Sequence, residues 1–502
     1  MTEKELMKLQ NGSDVRGIAL EGVEGEAVNL RPEAANLIAA AFAGFLARKL
    51  GKAAGELKIA VGTDSRLSAI SLKEAALQGI LAEGAIAYDC HMASTPAMFM
   101  SIVFPETRMD GSIMITASHL PFNRNGLKFF TKDGGLEKED IIELLEAAAG
   151  LAARNADLSK VRTVELVDIY ARSLCEKIRQ GINGENYEKP LSGMHIVVDA
   201  GNGAGGFFAT KVLQPLGADT EGSLYLEPDG HFPNHIPNPE NQAAMDAIKG
   251  AVLDNKADLG IIFDTDVDRM SAVLPDGQQI SRNALIAMMA AILAPDYPGS
   301  TIITDSVTSD ELADFLENKL HLKHHRYMRG YKNVINECIR LNKAGTVSPL
   351  AIETSGHGAL SENYYLDDGA YLAVKLLIAA AKARAEGKVL ADLVKDLRHP
   401  AEEREYRLKI SGVEDFRSYG RSVLAEFEKR AEAKGILQAA PSYEGIRLVF
   451  PGEGWVLLRM SLHDPNMPMN MESTHVGGCE KLTAIVKDMV SGFEHLDIGV
   501  LG

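Results

Sequence analysis

Three apolar strand-like segments of this 502-residue chain close on an aspartate followed by small polar residues. They are LKIAVGTDS at Asp64, HIVVDAGNG at Asp199 and TIITDSVTS at Asp305, each followed by a helical pattern. Each is then succeeded by a further apolar strand that runs into a polar loop. SIMITASH carries Ser118, LGIIFDTDVD carries Asp264, Asp266 and Asp268, and PLAIETSGH carries Glu353, Ser355 and His357. The intervals from the aspartate to the first of these loop residues are 54, 65 and 48 residues. That is room for a helix, a strand and another helix. The alternation predicts three related α/β units with mixed or parallel sheets. Ligands of open α/β sheets bind beyond the carboxyl ends of strands, so the three loops are placed to converge on one cleft.

The last hundred residues break this pattern. The charged segment Glu402 to Leu408 precedes a helical stretch containing EFEKRAEAKG, strand-like IRLVF and GWVLLRMSL, a Met- and Pro-rich loop, and a closing helix from about Glu480. This predicts a smaller α+β domain, with the charged connection near Arg398 to Glu403 as its linker. Length alone suggests three domains at ~150 residues each, whereas the repeats plus the tail give four. The expected division is 1–158, 159–279, 280–398 and 399–502.

Composition bounds the function. With 52 basic and 69 acidic residues the formal net charge is −17. That balance argues against a general nucleic-acid binder, which needs a basic face, and against a polybasic membrane surface. A hydrophobic fraction of 46% supplies several cores and excludes disorder as the main state. The cysteines at 90, 175, 338 and 479 have neither metal-ligand nor redox spacing and read as reduced thiols. MTEKELMKLQ has no apolar signal core, and apolar runs such as Ala284 to Ala294 fall short of the ~20 residues of a membrane helix. A cytoplasmic protein, monomer or dimer, is expected.

The loops carry the chemistry. Carboxylates at Asp264, Asp266 and Asp268 repel one another unless a cation joins them, and hard oxygen ligands suit Mg²⁺ completed by phosphate oxygens. An EF-hand does not fit, because Arg269 and Pro275 stand where Gly and Glu are required. Arg269 can hold a phosphate or orient a carboxylate through its planar fork. Ser118 lies beside His119, with Lys128 ten residues on, and no G-x-S-x-G elbow surrounds it. A serine that carries a phosphoryl group needs no elbow. In AIETSGHGAL, Glu353 and Ser355 can bind vicinal sugar hydroxyls, and Gly356 and Gly358 allow close backbone approach around His357.

Taken in order, these loops resemble the α-D-phosphohexomutase family over nearly the whole chain. GSDVRG resembles the family's N-terminal stretch, and TASHLPFNRNGLK its phosphoserine loop with Leu120 where Asn is usual. VVDAGNGAG and PDGHFPNHIPNPE resemble second-domain signatures, DTDVDR the metal loop and ETSGH the sugar loop. The resemblance implies three similar α/β units and a smaller fourth domain around a central cleft. It implies phosphoryl transfer between O1 and O6 of a hexose phosphate, mannose or glucose or both. Phospho-Ser118 would act through a hexose 1,6-bisphosphate, with Mg²⁺ on Ser118, Asp264, Asp266 and Asp268. Lys128, His357 and Arg16 become candidates for proton transfer or charge stabilisation, with His119 adjacent to the nucleophile.

Arg269, Glu353, Ser355, Arg329, Lys332, Arg459, Ser461 and His463 become candidates for substrate binding. The departures concern the phosphate loop. Arg459 to Pro465 replaces the family's Arg-x-Ser-Gly-Thr-Glu-Pro pattern with Leu462 at a small-residue position and His463 for Thr, and Pro468 stands where a further Arg is frequent. Tyr331 stands for a His, and Val307 where Lys is common. Arg459 and Ser461 can still grip a phosphate. Alternatives are a phosphoglucosamine mutase, a haloacid dehalogenase-like phosphotransferase in which Asp264 is phosphorylated, and a non-catalytic sugar-phosphate binder.

Overall fold

The structure, a computed structural model, describes residues 1–461 and 464–502. The chain forms two compact units, residues 1–285 with 355–393, and residues 286–354 with 394–502. Among the described residues no helix is long and apolar enough to cross a membrane.

In the first unit the larger sheet is mixed. Its spatial order is Gln10–Asn11, Asp14–Ile18, Arg124–Thr131, Gly111–Ile115, Lys58–Thr63, Ile86–Met92 and Arg162–Thr163. Lys58–Thr63 and Gly111–Ile115 run parallel in register from Ile59 opposite Gly111 to Thr63 opposite Ile115. Both strands are buried almost throughout, as parallel strands covered by helices on both faces must be. The helix Pro32–Leu50 begins on a proline whose missing N–H is harmless at that position, and stops at Gly51 in the left-handed conformation. Its Leu37, Ile38, Phe42 and Leu46 join Ile59, Val61, Ile113 and Phe129 in one core.

A second sheet holds Ile196–Asp199, Leu259–Phe263, Met270–Val273 and Gln279–Ile280. The strand Leu259–Phe263 is parallel to Ile196–Asp199 and antiparallel to Met270–Val273, where Phe263 faces Met270. The acidic loop 264–269 is therefore a hairpin connection on a fully buried base. A short hairpin, Gly358–Leu360 with Leu366–Asp367, completes the elements of this unit that matter below.

The second unit repeats the parallel arrangement, with Thr301–Thr304 between Lys323–Arg326 and Leu350–Ile352. In all three sheets, then, the strand ending at the aspartate lies parallel to and beside the strand that feeds the functional loop. The interval between Asp64 and Ser118 holds the helix, strand and helix that its length allowed, and so does that between Asp305 and Glu353. The interval after Asp199 differs. It holds a π-helical segment Phe208–Leu213, an isolated bridge from Asp199 to Leu224, and the helix Gln242–Asn255, with no intervening strand among the described residues. The cause is local: Pro228, Pro233, Pro237 and Pro239 remove four donors from the segment that would have to pair.

The tail is an antiparallel sheet ordered Leu437–Gln438, Ile446–Phe450, Gly454–Leu458, Asn466–Ser473, Glu402–Ile410 and Leu496–Asp497. The helices Phe416–Ala433 and Gly478–Val490 cover its apolar face through Val423, Phe427, Val486 and Met489. The expected Met- and Pro-rich loop is instead the strand Asn466–Ser473. Met467, Met469 and Met471 recur at the two-residue period and all enter the core. Pro468 is tolerated because the pairing to Gly454–Leu458 ends at Met469.

Candidate active site

The three loops share a backbone device that extends the sequence repeat. Each has a threonine followed two residues later by a residue of positive φ: Thr116 and Ser118 (+49°), Thr265 and Val267 (+67°), Thr354 and Gly356 (+93°). Serine and especially valine rarely adopt this region, and strain of this kind concentrates at functional sites. The strand-ending aspartates brace two of the loops. Asp64 accepts from Thr116, and Asp305 Oδ2 accepts from Thr354 Oγ1 at 2.7 Å. Asp199 is turned instead to His235 Nε2 at 2.9 Å and Gly201 N at 2.8 Å.

Asp264, Asp266 and Asp268 bring carboxylate oxygens within 4.8 Å of one another and are buried. Thr95 grips Asp266 twice, its N–H on the carbonyl at 2.8 Å and its hydroxyl on the carboxylate at 2.5 Å. Lys128 Nζ donates to Asp266 at 3.1 Å and to Asp268. Burial, with Asp268 and Asp266 nearby, holds the Asp264 carboxyl well above the usual carboxylate range. Burial acts the same way on Asp268, but Lys128 and His357 outweigh it and pull that group down. One oxygen each of Asp266 and Asp268 is buried with no hydrogen-bond partner. Buried acceptors without donors are what a hard cation would satisfy, so the donor set fits an oxygen-ligated divalent metal. Space for this loop depends on Gly203, where a Cβ would lie 2.6 Å from the Thr265 carbonyl oxygen.

Ser118 faces this cluster. Its hydroxyl donates to Asp264 Oδ2 at 2.7 Å and receives a bond from the Arg269 guanidinium at 3.1 Å. Arg269 also donates to Asp264 through Nε at 3.2 Å, to Asn238 at 3.3 Å and to His119 Nδ1 at 2.5 Å, and it lies 3.7 Å from Glu240. His119 Nδ1 is 3.3 Å from the Ser118 hydroxyl. Burial, followed by the Arg269 charge, pushes this imidazole down to about 2, so it is neutral at physiological pH.

Lys128 stands on the strand Arg124–Thr131 opposite Met114. Burial would lower it, but Asp266 and Asp268 outweigh that and hold it well above an ordinary lysine, as a fixed cation. Arg16 donates to the Thr116 carbonyl at 3.1 Å and to Asp14 at 2.9 Å, so it clamps the serine loop from the neighbouring strand. His357 Nδ1 is 2.6 Å from Asp367 and 3.8 Å from Asp268. Burial opposes its charge, yet the two carboxylates raise it to about 9, so it is an imidazolium at neutral pH.

The first unit thus gathers Arg16, Ser118, His119, Lys128, Asp264, Asp266, Asp268, Arg269 and His357. Ser355 is in this unit as well and is buried. The second unit holds the other candidates. Glu353 accepts from Gly330 N at 2.5 Å. The Arg329 N–H donates to Glu444 at 3.0 Å, Ser306 donates to the same oxygen at 2.5 Å, and Arg459 lies 3.6 Å from Glu444. Burial lowers Arg459, and its Nε has no hydrogen-bond partner. The Ser461 hydroxyl accepts from Asp464 N at 3.2 Å. Lys332 lies in the first turn of the helix Tyr331–Lys343. His463 lies outside the described residues.

Several participants escaped the sequence reading. Asn238 and Glu240 lie within PDGHFPNHIPNPE and could have been suspected from that stretch. Thr95 opens a helix as Ser-Thr-Pro, a pattern that reads as ordinary capping. Asp367 and Glu444 carried no local signal, because what they touch is set by a hairpin and by a sheet.

Sequence models of phosphoglucomutase/phosphomannomutase α/β/α domains I, II and III match residues 7–153, 172–277 and 281–400 in that order. The chain belongs to the phosphoglucomutase/phosphomannomutase family. This is the α-D-phosphohexomutase group that the motifs resembled, here as three α/β/α domains followed by a β-rich C-terminal domain. A phosphoglucomutase of Neisseria gonorrhoeae is 28% identical over 481 residues, 95% of this chain and 96% of that protein. A probable phosphoglucosamine mutase of Methanocella arvoryzae is 30% identical over 89% of this chain and 93% of its own length. A crystal structure of a family protein from Burkholderia thailandensis superposes with a TM-score of 0.78 at 24% identity, covering 98% of this chain and 99% of that one. At that identity the match speaks for the fold.

Proposed function

We propose that this family member interconverts the 1- and 6-phosphates of glucose and mannose, with Ser118 as the phosphoryl carrier. Family membership makes the chain a hexose-phosphate mutase, an isomerase-type phosphotransferase. The observation that carries the residue assignment is the Ser118 hydroxyl, 2.7 Å from Asp264 and 3.1 Å from Arg269, beside three clustered aspartates.

Phospho-Ser118 gives its phosphoryl group to a substrate hydroxyl. The Ser118 O–P bond breaks as the sugar O–P bond forms, and the proton of the sugar hydroxyl ends on Ser118 Oγ, which leaves a hexose 1,6-bisphosphate and a free serine hydroxyl. The intermediate turns over, and the other phosphate returns to Ser118. Asp264 accepts from the free Ser118 hydroxyl and so orients Oγ to receive the returning phosphate, and Arg269 donates to Oγ and stabilises negative charge there as the bond to phosphorus breaks. Lys128 and the His357 imidazolium supply further fixed positive charge, and His357 also has a proton to give. Mg²⁺ held by Asp264, Asp266 and Asp268, with the Ser118 phosphate, would polarise the transferring phosphoryl oxygens.

Glu353 and Ser355 are assigned to the sugar O3 and O4 hydroxyls. Arg329, Lys332, Arg459, Ser461 and His463 are assigned to the non-reacting phosphate. Glucose and mannose share O3 and O4 and differ at C2, which is the reason for expecting both as substrates. We place the enzyme in the cytoplasm.

A panel of mannose, glucose, glucosamine and N-acetylglucosamine 1-phosphates, primed with glucose 1,6-bisphosphate, tests the substrate assignment. Comparable turnover of glucose and mannose phosphates is expected; a strong preference for glucosamine phosphate would overturn it. Ser118→Ala should lose nearly all turnover and keep substrate binding. An active Ser118→Ala enzyme would remove the phosphoserine mechanism.

A further inference from the structure

Arg66 is among the most deeply buried charged side chains of the protein, 2% exposed. It touches neither the aspartate cluster nor the Ser118 hydroxyl by hydrogen bond. Its guanidinium is spent on the backbone of one loop. One terminal nitrogen donates to the carbonyls of Pro121 at 2.8 Å and Arg124 at 3.0 Å. The other donates to the carbonyls of Leu120 at 2.6 Å and of Ser118 itself. Nε faces Asp64 Oδ2 at 3.4 Å, and the other Asp64 oxygen accepts from Arg66 N at 3.0 Å. The guanidinium lies 5.3 Å from the Phe232 ring centroid. Behind it, Gly230 packs so closely that a Cβ would lie 2.5 Å from the Ser65 carbonyl oxygen.

We infer that Arg66 is a positioning residue for the phosphoryl-carrying serine. The inference rests on the assignment of Ser118 as that carrier. A guanidinium offers five N–H donors in a rigid planar fork, and here four carbonyls of residues 118–124 converge on it. One of them belongs to Ser118, so its ψ is fixed by a charge-assisted bond while its φ of +49° lies in a region serine rarely occupies. That conformation aims Oγ at Asp264 and Arg269. Released from Arg66, the loop can relax toward right-handed backbone and swing Oγ off the line of transfer. The hydroxyl alternates between neutral and phosphorylated during turnover. A loop tied to a buried cation through its carbonyls keeps its path in both states, because the anchor does not use the side chain that changes. Lysine cannot replace this function: it carries the charge, but its three donors sit on one atom and cannot span four carbonyls.

Arg66→Lys and Arg66→Ala test the inference in the full-length, Mg²⁺-supplied enzyme. The readouts are kcat, KM for glucose 1-phosphate, and the single-turnover rate at which glucose 1,6-bisphosphate phosphorylates Ser118. Arg66→Lys should lose roughly a hundredfold in kcat and in the phosphorylation rate with KM nearly unchanged, the size of loss that a ~1 Å misplacement produces. Millimolar guanidinium ion should restore at least roughly tenfold of the Arg66→Ala rate by refilling the cavity, and should not revive Ser118→Ala. Should the alanine variant not fold, the lysine variant decides alone. A native rate in Arg66→Lys, or a loss confined to KM, overturns the inference. A native enzyme that never carries phosphoserine overturns the carrier assignment, whereas phosphoserine formed equally fast in native and Arg66 variants overturns the role of Arg66 alone.

Discussion

Replacing Asp266 by Asn separates the electrostatics of the acidic loop from its packing. Asparagine keeps the volume and an oxygen that can accept from Thr95, 2.5 Å away. Burial and its neighbours keep the Asp264 carboxyl protonated in the metal-free protein, so Asp266 and Asp268 are the carboxylates that face Lys128 and Arg269. A carboxylate pair within 4.8 Å repels by on the order of 3 kcal/mol at an effective dielectric of about 20. The substitution relieves that pair and gives up the attraction to Lys128 at 3.1 Å, on the order of 5 kcal/mol in the same terms. The net loss is on the order of 2 kcal/mol. The metal-free variant should therefore melt within a few degrees of the native protein. What it loses is the reason to bind a cation. At a hundredfold excess over Kd a ligand adds about 2.7 kcal/mol to the native protein, a rise of about 3 °C in Tm. Calorimetry in chelator and in excess Mg²⁺ reads both quantities. The expected result is Tm values within a few degrees of each other in chelator and a Mg²⁺-dependent rise in the native protein only. A native-like rise in the variant, or full activity in chelator, would refute the metal assignment.

Other perturbations reach different links of the argument. Gly203→Ala should cost about 1–3 kcal/mol by overpacking against Thr265 and weaken the Mg²⁺-dependent rise in Tm. Gly250→Ala, in the helix Gln242–Asn255 with nothing within 4 Å of its Cβ, should instead be neutral or stabilise by up to about 1 kcal/mol; equal losses at both sites would defeat the packing argument. Burial pushes Glu472 up to about 8 from 4.5, opposed by the Trp455 N–H at 2.8 Å. A carboxyl raised in the fold contributes its stability fully below pH 4.5 and loses it as pH climbs to about 8, a loss on the order of 5 kcal/mol. Glu472→Gln should flatten that decline in denaturant titrations at pH 5, 7 and 9, and an unchanged slope would contradict the cause given.

Much of the architecture is visible in the primary structure because parallel strands covered on both faces must be nearly continuous apolar runs, and these runs end where the loops must be polar. The aspartates at 64, 199 and 305 mark the strand ends, and the loop strands pair directly beside them. The acidic triad was legible for a chemical reason, since three carboxylates in five residues need a cation. Contacts made across the fold were not legible. Arg66 meets four carbonyls more than fifty residues away, and His357 finds Asp367 through a hairpin. Lys128, a candidate for proton transfer or charge stabilisation, is held charged by two aspartates that lie about 140 residues further along the chain. The strand Asn466–Ser473 was hidden by its proline, although its methionines keep the two-residue period.

The phosphoryl carrier is where the account is most exposed. Enzyme incubated with glucose 1,6-bisphosphate, quenched in acid and digested should yield one modified peptide. It should contain residues 116–124 with an acid-stable phosphate on Ser118, and Ser118→Ala should lose it. A hydroxylamine-labile acyl-phosphate on Asp264, with Ser118 unmodified, would contradict the account and transfer the chemistry to the aspartate.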